Sequence, residues 1–257
     1  MLWYSTAGGG LFNDSSSPLI ANCTFSGNYC YAGPAIFNCR DSSPYVYRCS
    51  FEQNSGEYGG AVCSESFDST GAVAPSFVEC VFKNNIGAKG GAIYSAANSN
   101  TAACTPFIDK CRFLSNQTTK LYGGAIADNS TAHSTISNSE FTGNFTKNAA
   151  DASGGAIFIN AARKTSVITN CTFANNKANG GGSGGALYVN GLSSLIIANC
   201  TFSGNGAANK GGAVYSASTP VTAVNSIFWG DTAVSGDAEI AYAGGGSSAS
   251  LYNSVVQ

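Results

Sequence analysis

Residues 184–205 read GGALYVNGLSSLIIANCTFSGN, and the 257-residue chain repeats this unit with variations. The first half, Gly-Gly-Ala plus an aliphatic residue, begins at Gly59, Gly90, Gly123, Gly154, Gly184 and Gly211, with looser copies at Gly8 and Gly33. The second half, Phe-x-x-Asn, returns from Phe25/Asn28 to Phe202/Asn205, and Phe228/Asp231 is a near copy. A period of 25 to 33 residues predicts one elongated repeat domain over residues 1–257.

Each repeat contains three short strand-like pieces. The Gly-Gly-Ala-aliphatic piece comes first, a β-branched piece such as Leu195-Ile196-Ile197 follows, and a Cys-x-Phe piece comes last. Alternate side chains of a strand share a face, so Cys200 and Phe202 point the same way. No segment has a sustained 3.6-residue apolar period, which excludes helical solenoids. We therefore predict an all-β parallel β-helix of about nine coils with three parallel sheets.

Two sets of asparagines recur at fixed places. The first set precedes the Cys-x-Phe strand, at a bend that favours the left-handed conformation, and comprises Asn22, Asn138, Asn170, Asn199, Asn225 and Asn253. The second set follows the strand and comprises Asn28, Asn54, Asn85, Asn116, Asn144, Asn176 and Asn205. Stacked coils place these amides above one another, so we predict that each amide bonds to the next.

The ten cysteines divide into two groups. One group lies two residues before the repeated Phe, at Cys23, Cys49, Cys80, Cys111, Cys171 and Cys200, and Ser139, Ser226 and Ser254 take the same place elsewhere. A position that accepts Cys or Ser is typical of a small inward packing site. The other group is Cys30, Cys39, Cys63 and Cys104. These four are disulfide candidates, and the sequence does not fix their pairing.

Composition excludes several classes of function. The formal net charge of −2 gives no reason to expect a nucleic-acid partner. No apolar run reaches the ~20 residues needed to cross a bilayer, so no transmembrane segment is predicted. Repeats begin by Gly8 and continue to Gln257. Because a β-helix exposes strand edges at its ends, we expect a segment of a longer solenoid or end-to-end self-association.

Four acidic residues follow the first strand of the first three repeats: Asp14, Asp41, Glu65 and Asp68. Converging carboxylates on neighbouring coils could bind Ca²⁺ or act as acid and base, although solvated loop acids would have the same pattern. No other cofactor is indicated. His133 is the only histidine, which excludes a multi-histidine metal centre. A triad of Ser134, His133 and Asp128 lacks any nucleophile motif, so we interpret His133 as a loop residue.

Aromatic residues recur directly after the first-strand aliphatic. They are Phe12, Phe37, Tyr94, Phe158, Tyr188 and Tyr215. If the aliphatic points inward, these rings form an outward stripe that could contact sugar rings or another chain. If the parity is reversed, the rings fill the core. The sequence leaves both possibilities open.

The Gly-Gly-Ala-Ile and Phe-x-x-Asn motifs over residues 8–231 resemble the repeats of polymorphic outer membrane proteins. That family of bacterial surface adhesins and autotransporter passengers consists of right-handed parallel β-helices. The resemblance implies a non-catalytic extracellular or cell-surface protein, a structural or adhesive stalk, filament or passenger that contacts surface glycans or proteins. The alternative is a polysaccharide lyase-like, hydrolase-like or carbohydrate-binding β-helix, because one fold hosts many functions.

Overall fold

The computed structural model describes residues 7–66, 71–97, 103–147, 152–161, 164–243 and 247–257. In these residues the chain forms strands and turns only, and three parallel sheets of nine strands each run along the molecule. Each strand pairs in parallel with the equivalent strand of the next coil. The predicted all-β parallel β-helix with three main sheets is therefore confirmed. None of the described residues belongs to a helix that could span a membrane.

The strands of the three sheets follow one another in each coil. The first sheet contains Leu11–Asp14, Ile36–Cys39, Val62–Ser66, Ile93–Ala97, Ile126–Ser130, Ile157–Ala161, Leu187–Asn190, Val214–Ser216 and Ile240–Tyr242. The second sheet contains Leu19–Ala21, Tyr45–Tyr47, Ser76–Val78, Phe107–Asp109, Thr135–Ser137, Thr165–Thr169, Ser194–Ala198, Pro220–Val224 and Ser248–Tyr252. The third sheet contains Thr24–Ser26, Ser50–Glu52, Val81–Lys83, Arg112–Leu114, Glu140–Thr142, Thr172–Ala174, Thr201–Ser203, Ile227–Trp229 and Val255–Val256.

A fourth, narrower sheet was not among the predictions. Its seven strands follow the second asparagine column and are Ser55–Tyr58, Ile86–Lys89, Gln117–Thr118, Phe145–Thr146, Lys177–Ala178, Gly206–Ala207 and Thr232–Ala233. Most have two residues, too few for a periodic pattern, and their residue types differ from coil to coil. Ala72–Val73 and Ala103–Cys104 form a further two-stranded sheet.

A stack of phenylalanine rings fills the centre of the solenoid. It runs through Phe25, Phe51, Phe82, Phe113, Phe141, Phe173, Phe202 and Phe228. Neighbouring ring centroids lie 4.6–5.1 Å apart with the ring planes within 9°. This spacing is the ~4.8 Å distance between strands of a sheet, so the backbone pairing sets the ring stacking. The first-strand aliphatics from Ile36 to Val214 belong to the same buried cluster, which shows that they point inward.

The second asparagine column forms a continuous hydrogen-bonded ladder. From Asn28 to Asn205, each Nδ2 donates to the side-chain oxygen one coil further along, at 2.7–3.0 Å, and the last acceptor is Asp231. Each backbone N–H donates to the same oxygen. From Asn54 onward, Nδ2 also donates to a phenylalanine carbonyl of the preceding coil. The predicted amide column is confirmed.

The first asparagine set lies at an exposed corner. All six residues have a positive φ, between 46° and 54°, as the bend requires. Side-chain bonds of 3.1–3.3 Å link Asn225 to Asn199, Asn199 to Asn170 and Asn170 to Asn138. Water competes for these exposed amides, so this column contributes less to stability than the buried ladder.

Two further features let the coils approach closely. Cys49, Cys80, Cys111, Cys171 and Cys200 are buried, which confirms the predicted small inward column, while Cys23 in the first coil is exposed. Gly184 has a φ of +71°, and a Cβ on Gly185 would lie 2.1 Å from the Gly212 carbonyl oxygen. The first glycine of the pair therefore adopts a left-handed conformation. At the second, the backbone of the next coil leaves no room for a side chain.

Candidate functional site on the outer face of the first sheet

The six predicted stripe residues lie on the outward face of the first sheet, opposite the inward aliphatics. Phe37 and Tyr94 are only 2% and 4% exposed, whereas Phe12 at one end is 40% exposed. They therefore face away from the core, yet most of them are covered. The structure therefore differs from both arrangements that the sequence allows, an open outward stripe of rings and a column of rings in the core.

The rings are covered by one another and by aromatic residues that precede the Gly-Gly pairs. Phe12 stacks on Phe37 at 5.4 Å. Where the column has the small residues Cys63 and Ala127, Tyr58 contacts Tyr94 at 5.2 Å and Tyr122 stacks on Phe158 at 4.0 Å. The sequence analysis missed Tyr58 and Tyr122, although their place before Gly59 and Gly123 was a usable signal. Because the ring faces contact one another, little ring face remains for a sugar.

Replacing Tyr188 by alanine tests this packing role. Tyr188 stacks on Phe158 at 5.0 Å and on Tyr215 at 5.4 Å. We expect Tyr188→Ala to lower the free energy of unfolding by about 2 kcal/mol, because two aromatic pairs are lost. Guanidinium unfolding would measure it, with Tyr29→Ala at the 84%-exposed Tyr29 as the control. An unchanged stability for Tyr188→Ala would contradict the packing role.

A group of polar and ionisable side chains lies around Tyr94 of the aromatic column. We call Tyr58, Glu65, Lys89, Tyr94 and Asn129 the Glu65 cluster. Lys89 Nζ lies over the Tyr58 ring at 4.7 Å and 6.0 Å from the Tyr94 ring centroid. Asn129 Nδ2 donates to Tyr94 Oη at 3.4 Å. Three adjacent coils thus bring an ammonium group, a carboxyl group and two phenols to one face.

Burial changes the acid–base properties of this cluster. It raises the pKa of Glu65 to about 7, against the opposing effect of the Lys89 charge. Burial, and then the hydrogen bond with Tyr31, raise the pKa of Tyr58 to about 12, and burial raises the pKa of Tyr94 further above its usual value. A carboxyl group that titrates near neutral pH can donate or accept a proton, so Glu65 is the group here best suited to acid–base work.

The other predicted acids have separate contacts. Asp14 forms an exposed ion pair with Arg40 at 3.0 Å, and Asp41 Oδ1 accepts a hydrogen bond from the Ala72 N–H at 2.9 Å. Strand register puts Asp14 and Glu65 in one outward column, two strands apart. Asp68 lies outside the described residues. Within those residues, no group of three or more His, Cys, Asp and Glu side chains is placed to hold a metal ion.

No disulfide joins any of the four disulfide candidates to another cysteine among the described residues. Cys39, Cys63 and Cys104 are buried, and Cys30 is partly exposed. Burial raises the pKa of the Cys63 and Cys104 thiols well above the usual value. A raised pKa disfavours the reactive thiolate, so the structure gives these two thiols a packing role.

Ser134, His133 and Asp128 do not form a catalytic triad in the structure. Asp128 is buried and accepts hydrogen bonds from the Ser134 N–H at 2.7 Å and from Ser134 Oγ at 3.1 Å. His133 Nδ1 lies 3.3 Å from the Thr131 carbonyl oxygen. The serine hydroxyl therefore contacts the carboxyl group directly, without the imidazole between them that a nucleophilic triad needs.

These features define a protein built as a parallel β-helix. A family model described as "Right handed beta helix region" matches residues 76–255, and the chain belongs to that family. Comparison with curated proteins and with solved structures gives no match.

Proposed function

We propose that the protein is a non-catalytic extracellular or cell-surface β-helix that serves as a structural or adhesive stalk, filament or passenger segment. The observation that carries this proposal is that the repeated side chains contact one another between coils. The phenylalanine stack, the buried amide ladder and the cysteine column all join one coil to the next. The repeat therefore supports a rigid rod, and the residues that vary between coils supply contacts with partners.

The sequence motifs support the same function. Gly-Gly-Ala-Ile and Phe-x-x-Asn are the motifs that resemble bacterial surface adhesins. Low charge and a net charge of −2 favour a glycan or protein partner, or a second copy of the chain, over nucleic acid. Adhesion would use loop residues, because most rings of the outward aromatic column are already packed.

The Glu65 cluster favours a second candidate function, a glycan-active enzyme. A carboxyl group with a pKa of about 7 beside a lysine and two tyrosines is a suitable general acid or base. The arrangement has one such carboxyl group. The pair of carboxylates typical of glycoside hydrolases would require Asp14, which forms an ion pair with Arg40.

An activity screen with matched acid variants separates the two functions. We expect the wild-type protein to release no reducing ends and no unsaturated products from a panel of neutral and acidic polysaccharides. Binding to a glycan or surface-protein array should be the same in the wild type, Glu65→Gln and Glu57→Gln. Glu57 is the control because its carboxylate is already paired with Lys120 at 2.9 Å. Turnover that disappears in Glu65→Gln and persists in Glu57→Gln would establish the enzyme instead.

A further inference from the structure

At position 231 the buried amide ladder has an aspartate in place of an asparagine. Asp231 occupies the next ladder position after Asn205 and accepts from the Asn205 N–H at 2.6 Å and from Asn205 Nδ2 at 2.7 Å. Aspartate has no side-chain N–H to donate. Asp231 thus accepts hydrogen bonds from the preceding coil but has no side-chain amide to donate to the next coil.

Glu239 accepts the hydrogen bond that the Asp231 N–H donates. It lies in the column that contains Ala35, Ala61, Ala92, Ala125, Ala156, Ala186 and Ala213 in the other coils. Its Oε1 accepts from the Asp231 N–H at 3.3 Å, the role that the next asparagine oxygen has for every earlier rung. The aspartate at position 231 of the asparagine ladder therefore accounts for the glutamate at position 239 of the alanine column.

The second oxygen of each carboxyl group has no partner. Asp231 and Glu239 are 4% and 5% exposed, and neither Asp231 Oδ2 nor Glu239 Oε2 has a hydrogen-bond partner among the described residues. At earlier rungs the atom equivalent to Oδ2 is an Nδ2 that donates to a phenylalanine carbonyl, as Asn205 does to Phe173 at 3.0 Å. Two neighbouring buried carboxylates, each with an unpaired oxygen, are strongly unfavourable.

We propose that Asp231 and Glu239 share one proton, which closes the end of the amide ladder and holds the last coil in place at acidic and neutral pH. The proton gives the two unpaired oxygens a common hydrogen bond and leaves a single negative charge. That charge faces the N–H groups of Asn205. When the proton leaves to solvent, the two neighbouring carboxylates repel each other, and the last coil is held by its strand pairing alone.

The neighbouring charged groups do not supply an alternative partner. The adjoining turns carry Lys210 and Asp237, and the last strand of the first sheet carries Tyr242. In the described residues no hydrogen bond or ion pair joins any of these three to either carboxyl group. Burial raises the pKa of Asp231, and burial together with the neighbouring Asp231 raises the pKa of Glu239 to about 8. The pair titrates as a unit.

The stability of the last coil falls as the pH rises, because the folded and open coils bind different numbers of protons. An unfolded glutamate releases its proton near pH 4.3, whereas the folded pair keeps one proton up to about pH 8. Between these limits the folded coil binds one more proton than the open coil. Its stability is therefore fully present below about pH 4.3 and is lost as the pH rises to about 8, with about a tenfold increase in the opening equilibrium per pH unit.

Hydrogen exchange of the full chain from pH 5 to pH 9, corrected for intrinsic rates, tests the proposal. In the wild type, amides of residues 231–242 should lose protection with the stated slope, while amides of residues 110–147 and 164–176 should not. Glu239→Gln should be flat, because its amide donates permanently to Asp231. Asp237→Asn, an exposed neighbour, should follow the wild type. ¹³C titration of the two side-chain carboxyl groups provides a second measurement.

The outcomes that overturn the proposal are distinct. A flat profile in the wild type, or an unchanged slope in Glu239→Gln with normal protection of the central coils, would exclude the shared proton. Independent titration of both carboxyl groups near their ordinary values would do the same. Recovery of protection at pH 8 by Ca²⁺ in the wild type and not in Glu239→Gln would identify a bound cation in place of the proton.

Discussion

Phe141→Ala is expected to lower the free energy of unfolding by about 4 kcal/mol, because it leaves a cavity in a fully buried stack. The Phe141 ring lies 4.7 Å from Phe113 and 4.8 Å from Phe173, so the cavity separates two halves of the column. The next coils hold the neighbouring rings at the strand spacing, and the site cannot collapse. Guanidinium unfolding followed by circular dichroism measures the change.

Phe107→Ala is the matched control for this loss. Phe107 is on the second sheet and is 41% exposed on its outward face. The same chemical truncation should cost about 1 kcal/mol there, since less apolar area is removed from contact. Equal losses for the two variants would mean that the central stack has no special role in stability.

Asn144→Leu is the second large expected effect. Asn144 Nδ2 donates to the Phe113 carbonyl at 2.9 Å and to Asn176 Oδ1 at 3.0 Å. Its Oδ1 accepts from the N–H and the Nδ2 of Asn116, both at 3.0 Å. Leucine has a similar volume and removes these four buried hydrogen bonds, so we expect a loss of about 4 kcal/mol. Thermal and guanidinium unfolding would measure it.

Asn170→Gly provides the control from the exposed corner. Asn170 has a φ of 54°, which glycine adopts readily, and it bonds to Asn138 and Asn199 at 3.1 Å each. Water can replace these exposed bonds, so a change of about 0.5 kcal/mol is expected. A larger loss for Asn170→Gly than for Asn144→Leu would reverse the assignment of the two columns.

The repeat was sufficient to predict the parts of the fold that are periodic. Phe, Asn and Cys recur at fixed offsets, and residues that stack on one another must be similar in every coil. The fourth sheet could not be predicted in this way. Strands such as Gly206–Ala207 and Thr232–Ala233 are held by backbone bonds and carry no shared side-chain signal.

The candidate site was less predictable because it depends on differences between coils. Glu65 was identified as an acid, but its raised pKa comes from burial that no local pattern indicates. Lys89 was missed because it occupies the same position before a Gly-Gly pair as Tyr58 one coil earlier, and only the pairing of the two coils shows that its charge lies over the Tyr58 ring. Asp231 was noted only as an imperfect copy of Asn, and its pairing with Glu239 requires the next coil to be in place.

The amide ladder also gives the rod a polarity. From Asn28 through Asn205, each rung donates its backbone N–H and its Nδ2 to the side-chain oxygen of the next rung on the C-terminal side. A break between the coils of Asn116 and Asn144 therefore exposes two N–H donors and the Phe113 carbonyl on one fragment, and the Asn144 side-chain oxygen and Nδ2 on the other. Two like faces cannot re-form the bonds, so broken rods can rejoin through the ladder only head to tail.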